Sequence, residues 1–127
     1  MKILVGQGSC GIASGAKKTA AAFAEQIRVA EMDIPVDVTG CIGLCYLEPI
    51  VDIYDDNGQM TRYTKVTPDT AKLIFDAHIA GGVPYAPAVI PAAGQAFLDK
   101  QTRVVMKNCG AINPERIEDY IASGGYR

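Results

Sequence analysis

The chain has no tryptophan, a single histidine and few aromatic side chains of any kind, 7% of the total. His78 alone cannot support a histidine-rich metal site. Charge of one sign is also missing. Twelve Lys and Arg against 14 Asp and Glu give a formal net charge of −2, which excludes the basic footprint that nucleic acid or an anionic membrane surface demands. Small molecules and proteins remain as partners. No apolar run approaches the roughly 18 residues needed to span a bilayer. The first residues lack the basic, then apolar, then small-residue order of a secretory leader, so direct membrane insertion is not expected and a cytoplasmic location is. No Ser-His-Asp set, paired-carboxylate site or P-loop can be assembled, and no autonomous enzymatic activity is expected from this chain.

What is present is 127 residues, 49% of them hydrophobic, enough for one compact core with an appendage. Four cysteines without an export signal argue against a disulfide framework and for metal, redox chemistry or burial. Cys10, Cys41 and Cys45 fall in the first half and Cys109 far downstream.

"KILV" is a short aliphatic run ended by glycines and reads as a buried strand. "SGAKKTAAAFAEQIRVAEM" carries Ala16, Ala20, Phe23, Ala24, Ile27 and Val29 or Ala30 near helical spacing, with Ser14 as N-cap. "IPVDVTG" is a second strand. "IVDIYDDNGQMTRYTKV" alternates apolar and polar residues around Asn57-Gly58, a hairpin signal because both residues tolerate positive φ. "TPDTAKLIFDAHIAGG" follows with Thr67 as N-cap, Pro68 at the first helical position and a Gly81-Gly82 stop, and it places His78 at the surface or near a helix end. A strand-helix-strand unit pairs in parallel and a hairpin antiparallel, so the sheet is small and mixed. The fold class expected is α/β: a thioredoxin-like, four-stranded mixed sheet with covering helices, plus a C-terminal strand-helix extension. Both cysteine-bearing loops then lie outside the carboxyl ends of parallel strands, where α/β proteins place ligands.

Gly6, Gly8 and Gly11 form a G-x-G-x-x-G arrangement. The acidic residue that a dinucleotide site needs at the end of the second strand is missing, because that strand ends in Thr39-Gly40-Cys41. The glycines, and Gly43 in the second loop, are read as letting backbone N–H groups approach something bound beside Cys10. C-x-x-x-C on one loop with a cysteine on the opposite loop resembles part of the four-thiolate set of a [2Fe-2S] cluster. Zinc, a dithiol redox pair and plain burial of free thiols are the alternatives.

"VGQGSCGIASGA", "TGCIGLCYLEPIVDI" and "RVVMKNCGAINPERIEDYIASGGY" together resemble the N-terminal part of the NADH-oxidising flavoprotein subunit of bacterial NADH-dependent hydrogenases, formate dehydrogenases and related complex I-like enzymes. The resemblance implies a thioredoxin-like [2Fe-2S] ferredoxin domain over residues 1–82, a Pro-rich linker over 83–100 and the start of an FMN- and NAD-binding domain over 101–127. FMN, NAD and a [4Fe-4S] cluster would belong to the remainder of a longer parent. It further implies Cys10, Cys41 and Cys45 as metal ligands, Gly8, Gly11 and Gly43 lining the cofactor, and other subunits or domains of an NADH-linked redox complex as partners. The fourth ligand position falls on Val5, whose side chain cannot ligate iron. A stable cluster in the isolated chain therefore requires a donor from elsewhere, such as Ser9, Ser14, Cys109 or a partner chain; without one the domain is a docking scaffold. A stand-alone thiol-redox protein using Cys41 and Cys45, which would need a depressed thiol pKa, is the competing reading. "TRVVMKN" is expected to be a strand and "NPERIEDYIASGG" a helix capped by Asn113, while Cys109 is read as a small buried residue.

Overall fold

The computed structural model describes residues 1–127. Its sheet has four strands, β1 (Lys2–Gly6), β2 (Val36–Thr39), β3 (Val51–Tyr54) and β4 (Met60–Tyr63), in spatial order β2-β1-β3-β4. β1 pairs in parallel with β2 and antiparallel with β3, and β3 pairs antiparallel with β4 across Asn57-Gly58. Gly58 takes φ +79°, which explains the glycine at that turn.

Helices α2 (Ala16–Val29) and α3 (Pro68–Ile74) cover one face of the sheet. α3 starts as expected, with Thr67 Oγ1 accepting the Thr70 N–H at 3.2 Å and Pro68 in the first turn. It runs on as a π-helical segment, Phe75–Ala80. The period-two alternation of β1 and β3 sends Ile3, Val5, Val51 and Ile53 to this face, where they pack with Phe23, Ile27, Ile74 and Phe75. Thr19 ties the two helices' surroundings together by donating its hydroxyl to the Val66 carbonyl at 2.6 Å.

The opposite face carries a second apolar cluster, Ile42, Leu44, Leu47 and Ile50, joined by Ile90 and Leu98. Residues 83–100, expected as a linker, supply its cover. They hold a 3₁₀ turn at Ala86–Ala88, an antiparallel bridge from Val89 to Tyr63, and helix α4 (Ala92–Asp99). The Thr64 N–H donates to the Ala88 carbonyl and the Ile90 N–H to the Arg62 carbonyl, so this stretch pairs along the open edge of β4.

Three details differ from the sequence reading. An additional short helix, α1 (Ser9–Ala13), precedes α2, and Gly15 rather than Ser14 takes the N-cap position of α2. "TRVVMKN" is not a strand: the β4 edge of the sheet is taken by the stretch around Val89, and Val105 is 95% exposed. The last helix, α5, spans Ile117–Ala122 rather than starting after Asn113; Asn113 Oδ1 accepts the Glu115 N–H at 3.0 Å and its carbonyl the Arg116 N–H, closing a turn ahead of the helix, while Nδ2 donates to Asp37 at 2.7 Å.

His78 is not at the surface. It is only 9% exposed, with Nδ1 at 2.7 Å from the hydroxyl of the fully buried Tyr63. Burial pushes the imidazole below its ordinary range, against a weaker upward pull from Asp55. A lowered pKa means that the folded state binds fewer protons than the unfolded chain on the acid side. The stability it contributes is present above the ordinary imidazole value, about 6.5, and is lost as pH falls through that value toward the lower folded one. The expected result is a urea midpoint that declines between pH 7 and pH 5.5 in the wild type and declines less in His78→Gln. Identical slopes would show that His78 does not carry this linkage.

Candidate functional site

β1 and β2 run parallel, and the loops that leave their carboxyl ends meet over the second face of the sheet. The meeting is tight at two glycines. A Cβ on Gly8 would stand 3.0 Å from the Cβ of Cys41, so the first loop abuts the second at that residue. A Cβ on Gly11 would stand 2.4 Å from the Gly6 carbonyl oxygen, so only glycine lets α1 close back on the end of β1.

The second loop brings two of the expected ligands together. Cys41 Sγ and Cys45 Sγ are 3.7 Å apart, and the Gly43 N–H donates to Cys41 Sγ at 3.2 Å. Gly43 takes φ +89°, a conformation that aims its N–H back at the sulfur and that glycine adopts without strain. Cys10 lies exposed in α1, two residues from the Gly8–Cys41 contact, and is not gathered with the other two thiols; no three Cys, His, Asp or Glu side chains stand close enough to hold a metal ion as they are. Val5 is fully buried in the core, pointing to the helix-covered face and away from the loops. All four cysteines are free.

Burial pushes the Cys41 thiol above its ordinary range; the Gly43 N–H works against this, and Cys45 and Glu48 add to it. A nucleophilic dithiol needs the opposite shift.

Glu48, which the sequence reading did not single out, is buried beside Gly6 and Gly11 next to the cysteine loops. It is 7% exposed, joined to Pro49 by a cis peptide bond, and its Oε2 accepts the Ile50 N–H at 2.9 Å. That is its one hydrogen bond, and none of the ion pairs includes it. Burial pushes its carboxyl up, against the Ile50 N–H, with Asp52 adding to the rise. A signal was present: a carboxylate set between Leu47 and Pro49-Ile50-Val51, three residues after Cys45, has no polar surroundings in the sequence to explain it.

The segment from 101 onward is fastened beside the same loop. Arg103 Nη2 donates to the Ile42 carbonyl at 2.5 Å, and Thr39 Oγ1 donates to the Ile112 carbonyl at 2.9 Å. Asn113 Nδ2 and Arg116 Nη1 both donate to Asp37, at 2.7 and 2.9 Å. Against the upward push of its partial burial, the Val38 N–H, Asn113 and Arg116 hold the Asp37 carboxyl below the usual carboxylate range. Gly110 packs directly on Ile42, and Cys109 is half-buried next to it, lining a small cavity with Gly40.

Fold and site together define a thioredoxin-like domain with a sulfur-rich centre at the carboxyl ends of its parallel strands. Its close donors are the two thiols of Cys41 and Cys45, with a backbone N–H aimed at one sulfur and Cys10 exposed on the neighbouring loop; thiols are the soft ligands that iron–sulfur centres use, and as they stand these side chains do not form a complete ligand set. Comparison with known proteins agrees. The chain is 32% identical over 87 residues to a 2Fe-2S ferredoxin of Aquifex aeolicus, a match covering 66% of this chain and 75% of the ferredoxin. It belongs to the thioredoxin-like [2Fe-2S] ferredoxins, which are electron-transfer proteins. One solved structure of a thioredoxin-like [2Fe-2S] ferredoxin from the same organism superposes with a TM-score of 0.60 at 25% identity, covering 71% of this chain and 89% of that one. A wild-type structure gives 0.58 at 24% identity, covering 71% and 95%. No family model matches. No helix is long and apolar enough to cross a membrane.

Proposed function

We propose that this chain is the electron-transfer and docking module of an NADH-linked oxidoreductase complex, with Cys10, Cys41 and Cys45 holding a [2Fe-2S] cluster through three thiolates. The observation that carries the reading is the close pair of Cys41 and Cys45 sulfurs with the Gly43 N–H directed at one of them. When bound, the cluster would take up and release single electrons. The chain's own part is to supply negative sulfurs, to damp their charge with an N–H donor, and to bring the Cys10 loop within reach through the Gly8–Cys41 contact. The competing dithiol reading is disfavoured by the upward push on the Cys41 thiol.

Docking is supported by residues 101–127. They carry the N-C-G-x-I-x-P-E stretch of the flavoprotein resemblance and are held against the cysteine loop and β2 by Arg103, Asn113 and Arg116. In a flavoprotein subunit, such an attachment would set the FMN- and NAD-binding domain next to the thiols. The test is to mix the iron-loaded chain with a purified FMN-containing, NADH-oxidising flavoprotein and add NADH anaerobically. Bleaching of the cluster's visible bands at a rate that saturates with flavoprotein is expected. A chain that dithionite reduces, but that NADH and flavoprotein leave oxidised, would contradict the assignment to an NADH-linked complex.

A further inference from the structure

The hydroxyl of Tyr63 joins three elements. It stands 2.7 Å from Nδ1 of His78, in the π-helical segment after α3, and 3.1 Å from the Tyr85 backbone nitrogen, in the stretch that leads to α4. A backbone N–H can only donate, so the Tyr63 oxygen accepts from Tyr85 and its single proton goes to His78. Nδ1 is then the acceptor, and the neutral ring carries its proton on Nε2. Nε2 has no protein partner, yet no side-chain polar atom cut off from water lacks one, so the Nε2–H faces water. The nitrogen open to water is thus already protonated. A second proton has to go onto Nδ1, where it would meet the Tyr63 oxygen and leave the phenol's own proton without an acceptor in a fully buried place. The imidazolium and the closed chain of hydrogen bonds exclude each other.

Tyr85 sits where the chain has no other hold. Gly82 and Val83 donate to the carbonyls of His78 and Ala77, while Ala88 and Ile90 are tied to Thr64 and Arg62 at the end of β4. Between these points the Tyr63 hydroxyl is the one hydrogen-bond partner outside the stretch itself. Further on, α4 closes over the cysteine loop: a Cβ on Gly94 would stand 3.4 Å from Leu47 Cδ1, in the turn that begins at Cys45. No nearby charge replaces the lost bond. Residues 83–91 carry no charged side chain and Tyr85 as their one titratable group, and Asp76, on the ring's own segment, is exposed. Asp55, in the β3–β4 turn, pulls the imidazole upward more weakly than burial pushes it down. Burial holds the Tyr63 hydroxyl above its ordinary range, against the Tyr85 N–H, so the phenol keeps its proton.

We propose that His78, the Tyr63 hydroxyl and the Tyr85 N–H form an acid-released latch, which fastens residues 83–88 to the sheet while the imidazole is neutral and lets them go when Nδ1 takes up a proton from water. The latch stands apart from the thiols and does not depend on the cluster.

The experiment uses the full chain, labelled with ¹⁵N in the histidine ring and, separately, at the backbone amides. At pH 7.5 the ring is expected to be the Nε2–H tautomer, with Nδ1 unprotonated. Hydrogen exchange, corrected for the intrinsic rate at each pH, is expected to show the Tyr85 amide opening more often than the amides of β1 and β3. Its opening is expected to rise by up to about tenfold for each pH unit below the folded pKa of the imidazole, the slope of one proton. His78→Asn, which keeps an acceptor in the place of Nδ1 and does not titrate, is expected to flatten that slope. Tyr63→Phe is expected to free the Tyr85 amide at every pH while the sheet amides stay protected. A neutral ring protonated on Nδ1 would overturn the latch. So would a wild-type Tyr85 amide that opens only together with the sheet, or one whose opening does not change with pH.

Discussion

Asp52→Ala is expected to destabilise the chain by about 3–5 kcal/mol, the largest effect of any single substitution outside the main core. Asp52 and Arg62 are direct cross-strand partners on β3 and β4, and the guanidinium meets the carboxylate through two hydrogen bonds of 2.7 and 2.8 Å. Their side chains are 4% and 12% exposed. The pair lies on the same face of the sheet as Leu4 and Ile50, opposite the face that α2 and α3 cover. Asp52 keeps the Arg62 guanidinium above its ordinary range, chiefly through these hydrogen bonds, against the downward push of burial. Removal of the carboxylate leaves a cation with little access to water, and that uncompensated charge, rather than the lost contact, sets the size of the effect. Relative to a total stability of about 5–15 kcal/mol for a domain of this kind, the loss would be plain in a urea titration. Replacing both partners, as Asp52→Leu with Arg62→Met, is expected to recover most of it. A single variant within about 1 kcal/mol of the wild type would show that water reaches the pair.

Cys41→Ala is expected to abolish iron binding and leave the fold in place. Cys41 is the thiol that the Gly43 N–H addresses and that faces Cys45. Its Cβ, the atom that meets Gly8, is retained by alanine. The core that holds the chain together, Ile3, Val5, Phe23, Ile27, Val51 and Ile53, belongs to the other face of the sheet. Iron per chain should fall to background, while the unfolding midpoint of the metal-free protein stays close to that of the wild type. A Cys41→Ala chain that does not fold would contradict this separation of site from scaffold, and one that still binds iron would remove Cys41 from the site.

The parts of the fold that announce themselves in the sequence are those with local causes. Gly58 marks the hairpin because the turn needs positive φ at that residue, and Thr67-Pro68 marks the start of α3 because cap and first turn are chemically specified. The convergence of the Cys10 loop with the Cys41 and Cys45 loop follows from the parallel pairing of β1 and β2, which the strand-helix-strand order implies. What was illegible depended on distant partners. "AAGQAFLD" follows a proline-rich stretch and contains a glycine, and it forms α4 because its Leu98, with Ile90 just before it, can cover the second cluster. "TRVVMKN" has strand-like composition, but the β4 edge is taken by the stretch around Val89 and the segment joins no strand. His78 is buried because Tyr63, fifteen positions earlier, presents its hydroxyl. Glu48 is buried because Gly6 and Gly11, some forty positions earlier, lie against its carboxylate. In each case the deciding contact joins residues that no local pattern relates.

The most direct test of an electron-carrying site is the metal content of the chain. Purified and reconstituted without oxygen, it is expected to contain about two irons and two sulfides per chain, with the visible spectrum of a [2Fe-2S] centre and a paramagnetic signal on one-electron reduction. That result would make the three thiols of Cys10, Cys41 and Cys45 an electron-carrying site. A chain that stays colourless and free of iron after reconstitution, although folded, would contradict it and leave the cysteine loops as a docking scaffold.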